Sequence, residues 1–151
     1  MDRKLLWNDH IEHKRNAAHG KLMQLYPLMS RRKGSTVKNG LLLYNAVIKP
    51  IMTYASPVWA TAAKTHLNRL QVLQNKALKI VTDAPRYCPT VYLHRETEIE
   101  MLDAYYIRSA RIFYAKCAQS ANPLVTSLGN YDPNEVHKYK RPKCILAERP
   151  P

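Results

Sequence analysis

Residues 41–80 read LLLYNAVIKPIMTYASPVWATAAKTHLNRLQVLQNKALKI. Physically, this stretch is two helical patterns joined by an apolar connector punctuated with prolines. Val37, Leu41, Tyr44 and Ile48 recur at i, i+4, i+7 and i+11, which puts them on one helical face. Ser35 and Thr36 stand where an N-cap belongs. Pro50 makes Lys49 a poor α residue, so the helix should end or kink there. Ser56-Pro57 is a cap and first-turn pair for a short helix carrying Trp59. Thr65 is placed to cap the next helix, whose stripe is Leu67, Leu70, Leu73, Ala77 and Val81.

Outward from this stretch the helical reading continues. A first helix is expected from about Asp9 to Tyr26, capped by Asn8 or Asp9. Its apolar face is Ile11, Ala18, Leu22, Leu25 and Met29, with a bend at Pro27. Asp83 to Glu98 contains Pro85 and Pro89 and reads as an irregular connection. A last helix, from about Ile99 to Ser120, carries Leu102, Tyr106, Ala110, Phe113 and Cys117 on one stripe. Asn122-Pro123 ends it. The expected fold is all-α: a single domain of about four main helices plus a short one, over residues 1–128. Residues 129–151, rich in proline and lysine, read as a mobile basic tail.

Composition bounds the function. The chain has 151 residues, enough for one domain with a real core, and 46% apolar residues argue against disorder. Its formal net charge is +13. Residues 1–95 hold 16 Lys/Arg against 4 Asp/Glu, whereas residues 96–151 hold 8 against 7. A polyanionic partner would relieve that self-repulsion, and nucleic acid is the leading candidate. A solvated basic surface and an anionic membrane are the alternatives. Leu41–Ala60 has the length of a membrane span but carries Lys49, Pro50 and Pro57, so it reads as core. No signal peptide is evident at Met1, and three scattered cysteines suit a reducing, intracellular compartment, nuclear or cytoplasmic.

The basic residues fall into two candidate groups. Arg69, Lys76 and Lys79 lie within about 80° of one another, opposite the Leu70/Leu73/Ala77 stripe, and Lys64 opens the same helix. Such a row can track a phosphate backbone while the other face is buried. Arg31, Arg32 and Lys33 form a basic turn before a helix start, where phosphate could meet side-chain charge and free N–H groups. Trp59, Tyr44 and Tyr106 belong with the apolar stripes, leaving Tyr87, Tyr92 and Tyr139 as stacking candidates.

Enzyme chemistry finds no footing in these residues. Cys88, Cys117 and Cys144 make no Cys-X-X-Cys pair. The six histidines, His10, His13, His19, His66, His94 and His137, make no His-X-X-X-His, so no metal site or cofactor is expected. No Gly-X-Ser-X-Gly occurs either.

The wording also resembles a known family. LLLYNAVIKPIMTYASPVW, then LQVLQNKALKIV and Ala84-Pro85, is similar to the region after the polymerase palm in reverse transcriptases of jockey-like non-LTR retrotransposons. DRKLLWNDHI (Asp2–Ile11) resembles the hairpin and helix start closing that palm, which makes residues 1–8 a candidate hairpin remnant. LYPLMSRR (Leu25–Arg32), His94-Arg95, Phe113-Tyr114 and Asn122-Pro123-Leu124 follow in order. The resemblance implies a thumb-like, RNA-directed DNA polymerase fragment gripping a DNA or RNA–DNA duplex by its backbone. The family's catalysis needs paired aspartates holding two metals. Here Asp2, Asp9, Asp83, Asp103 and Asp132 are all separate and no Tyr-X-Asp-Asp occurs, so no catalytic residue and no activity alone are expected. Two other readings stay open: a module binding a polymerase palm or host protein, and an element remnant without function.

Overall fold

The computed structural model describes residues 6–128 and 145–146, and among them every regular element is a helix. The order is α1 (Asn8–Met29), a 3₁₀ turn (Arg31–Lys33), α2 (Val37–Leu43), a π-helical turn (Tyr44–Ile48) and α3 (Lys49–Thr53). Then come α4 (Ser56–Trp59), α5 (Lys64–Thr82), α6 (Thr90–Thr97), α7 (Leu102–Ala118) and α8 (Pro123–Thr126). The candidate hairpin at residues 1–8 lies largely outside the described residues. So does the tail, apart from Ile145, which is buried in the core, and Leu146.

Pairwise contacts give the packing directions. Asn8 meets Arg69 and His19 meets Lys76, so α1 and α5 run parallel. Gly40 lies against Val81 and Met29, Tyr44 bonds Gln74, and Lys14 reaches Ile51. The run from α2 to α3 therefore passes antiparallel to both long helices. The expected stripes are the core: Ile11, Ala18, Leu22 and Met29 from α1 interlock with Leu67, Leu70, Leu73, Ala77 and Val81 from α5. No helix among the described residues is long and apolar enough to cross a membrane.

Several boundaries differ from the sequence reading. Helix α1 continues through Pro27 to Met29, because a proline in the last turn costs little of the ladder beyond it. Its N-cap is Trp7, in a left-handed conformation (φ 60°); the Asn8 side-chain oxygen accepts instead from Arg69. Thr36 does cap α2, accepting from Asn39 N–H at 3.2 Å. Lys49 is helical despite preceding Pro50, and the break falls one turn earlier, as the π turn. The wider turn moves a carbonyl out of the way of the proline ring and absorbs the missing N–H. Ser56 and Thr65 are not caps; Ala55 and Ala63 hold those positions. Phe113 is 39% exposed and sits edge-on to Tyr114, which packs on the core.

The connection from Asp83 to Glu98 is not wholly irregular, since it contains α6. A polar network holds this helix in place. Gln74, fully buried, donates to the Tyr44 hydroxyl and the Glu100 carbonyl, each at 3.0 Å. Gln71 donates to Gln74 and Asn75, and its own oxygen accepts from Leu102 N–H at 2.9 Å. Gln71 thereby caps α7 from another helix, relieving one of its unpaired amides. His94 joins the network through its ring nitrogens, 2.7 Å from the Ile99 carbonyl and 3.0 Å from Asn75 Oδ1.

A second buried polar group stabilises the corner after α3. Lys14 donates to the carbonyls of Ile51 (3.3 Å) and Tyr54 (3.1 Å), over the rings of Tyr54 and Trp59. An ammonium at a helix C-terminus meets both orphan carbonyls and the negative end of the dipole. Burial lowers the Lys14 pKa from its ordinary value. Trp59 bonds the same Tyr54 carbonyl at 2.8 Å and packs edge-on to Tyr106, so the corner, α1 and α7 are tied together.

Candidate nucleic-acid interface

The two basic groups converge only in part. Lys76 and Lys79, from α5, line the same groove as Arg32, from the 3₁₀ turn. Arg86, on the connection after α5, is the fourth cation of that groove and was missed in the sequence, where it stands alone in a proline-flanked segment. Its placement follows from Asp83, whose left-handed conformation (φ 56°) ends α5 and turns the chain back. Lys79 then donates to the Arg86 carbonyl at 2.7 Å, fixing the turn against the helix.

Beside Lys79, two more of the cations are held by a neighbour. Arg32 forms an ion pair with Asp83, the groove's one carboxylate. Lys76 Nζ is 3.1 Å from His19 Nε2. The groove has a volume of about 710 Å³, and beside the cations its walls are mixed: Tyr26, Val72, Ile80 and Pro85 are the apolar part, Ser30, Asn75 and Thr90 the polar part. Four positive side chains against one negative one leave a site suited to a dianionic or polyanionic ligand.

The other expected residues lie outside the groove. Arg69 is exposed on α5 and donates to Asn8 at 3.1 Å. Lys64 is exposed at the first residue of α5, about 18 Å along the axis from Lys76. Arg31 and Lys33 are exposed in the 3₁₀ turn. The N–H groups of Lys33 and Gly34 are paired with the carbonyls of Ser30 and Arg31, so neither of these two is free for a phosphate.

The aromatic expectations divide similarly. Trp59, Tyr44 and Tyr106 are buried, as core. Tyr87 and Tyr92 are 87% and 59% exposed, and Tyr139 lies outside the described residues. Among the described residues no three His, Cys, Asp or Glu side chains gather as a metal site would require. Asp9, Asp83 and Asp103 stand on three different elements.

Comparison with known proteins supplies the family. The chain is 30% identical over 103 residues, 68% of its length, to the probable RNA-directed DNA polymerase from transposon BS of Drosophila melanogaster. It is 22% identical over 99% of its length to the probable RNA-directed DNA polymerase from transposon X-element of the same species. It is 28% identical over 97% of its length to the RNA-directed DNA polymerase from mobile element jockey. The chain spans 11%, 16% and 18% of those relatives, respectively. No family model and no solved structure matches it. The chain is a homologue of a short portion of the RNA-directed DNA polymerases of Drosophila jockey-like and other non-LTR retrotransposons.

Proposed function

We propose that this helical domain is a thumb-like part of a retrotransposon reverse transcriptase, and that it holds a DNA or RNA–DNA duplex by its phosphate backbone without regard to sequence. The convergence of Arg32, Lys76, Lys79 and Arg86 in one groove carries this reading. Arg69 and Lys64 extend positive charge along α5, and Arg31 and Lys33 add to it beside Arg32. Phosphate contacts of this kind position a nucleic acid but read no bases. The relatives are named as RNA-directed DNA polymerases, which must hold such a duplex to copy RNA into DNA.

Catalysis belongs, in this reading, to parts of a polymerase other than these residues. None of the chain's five aspartates adjoins another, and a two-metal phosphoryl transfer needs carboxylates gathered around both ions. The polymerase palm is the protein partner. An open hollow at the start of α1, lined by Trp7, Ala55 and Val58 together with Asp9, His10 and His13, offers a surface for it. The work is intracellular, wherever the element's RNA and DNA meet.

The test combines binding with catalysis. A labelled duplex titrated with the protein at several salt concentrations should bind ever more weakly as salt rises, with one slope for unrelated sequences. Primer extension with magnesium or manganese should show no product above buffer. Salt-independent binding, or templated extension by the purified chain, would overturn the proposal.

A further inference from the structure

The same groove has a feature that duplex backbone contacts leave unused, and from it we infer a more specific ligand: one unpaired nucleotide of a single strand. This inference rests on the backbone-binding reading above. Val72 is on the solvent face of α5, 59% exposed, one turn before Lys76. With Tyr26, Ile80 and Pro85 it forms the apolar part of the groove's lining. A duplex keeps its bases stacked inside and presents only phosphates, so that lining would stay in contact with water. An unpaired base would cover it.

Size and charge agree with that occupant. The volume of about 710 Å³ falls within the range of small-ligand sites, roughly 300–1,000 Å³. Lys76, one turn from Val72 on α5, is placed to take a phosphate next to a base lying on Val72, and Lys79, Arg32 and Arg86 continue the positive charge along the groove toward Asp83. The Arg32–Asp83 pair does not block this. Its side chains are 70% and 38% exposed, and so exposed a pair is worth little, so a phosphate can replace Asp83 as the partner of Arg32. Every base has an apolar face, which makes this kind of site tolerant of sequence.

The experiment isolates the base from its phosphates. A labelled oligothymidylate is compared with an abasic strand of equal length and with a duplex, all at low salt. Wild-type protein should bind the thymidylate strand about fivefold or more tightly than the abasic one, the effect of stacking a single base. Val72→Ser and Tyr26→Ala should each reduce that ratio toward one while leaving abasic-strand affinity unchanged. Equal affinity of wild type for the two strands would overturn the inference yet leave the backbone reading standing. A base preference untouched by both substitutions would place the base elsewhere and overturn it too. Failure to bind strand or duplex at all would remove the backbone reading and this inference with it.

Discussion

A methyl group on Gly40 would lie 2.8 Å from Val81 Cγ1 and 3.0 Å from the Met29 carbonyl oxygen. The lack of a side chain there lets α2 approach both α1 and α5. Alanine normally improves a helix interior by up to about 1 kcal/mol over glycine. Here it must displace a β-branched side chain and a backbone oxygen, and overpacking of that kind costs roughly 1–3 kcal/mol. Gly40→Ala should therefore destabilise the domain in urea unfolding. The same substitution on a Val81→Ala background should be better tolerated, because half of the obstruction is gone.

Leu73 and Lys76 stand on opposite faces of α5, the first 4% exposed and the second open to solvent. Leu73→Ala should cost about 2–5 kcal/mol. Lys76→Ala should stay within about 0.5 kcal/mol, since its neighbour His19 is also at the surface. Equal shifts in the urea midpoint would show that the faces have been exchanged.

Tyr44 and Tyr106 are equally buried but differ in what their hydroxyls meet. Tyr44 accepts from Gln74 at 3.0 Å, whereas the Tyr106 oxygen has no hydrogen-bond partner among the described residues. Tyr44→Phe leaves a buried amide proton unpaired and should cost about 1–3 kcal/mol. Tyr106→Phe removes an unsatisfied group and should be neutral or stabilising. Thermal unfolding of the two variants checks the contrast.

Burial lowers the His10 pKa from 6.5, and the positive charges of Lys14 and His13 lower it further. As pH falls, the unfolded chain takes up this proton before the folded one does. The contribution to stability is thus full above the ordinary value and is lost as pH drops through it toward the folded value. Urea stability should decline as pH falls through 6.5 and below, and His10→Gln should decline less. An identical pH dependence in the variant would assign the effect to another group.

If the groove binds phosphate, replacing Arg32, Lys76 and Lys79 with glutamine should flatten the log–log salt dependence of duplex binding by about two to three. Glutamine at Arg111 and Lys116, exposed on α7, should leave the slope unchanged. A triple variant that keeps its helicity and the full slope would exclude this surface.

The all-α class and the core were legible in the chain because burial follows the 3.6-residue period. The stripes Ile11–Met29 and Leu67–Val81 are the buried faces of α1 and α5. Helix ends were less legible where a distant residue supplies the partner. Asn8 has capping chemistry but spends it on Arg69, and α7 starts with Gln71 rather than a local cap. The site divided in the same way. Composition identified a basic chain, and helical spacing put Lys76 and Lys79 on an exposed face of α5. Only the turn at Asp83 and the packing of the 3₁₀ turn beside α5 bring Arg86 and Arg32 to them. Periodicity reports which side of one helix faces water. Convergence of charges from separate segments depends on where the chain turns, which local pattern does not encode.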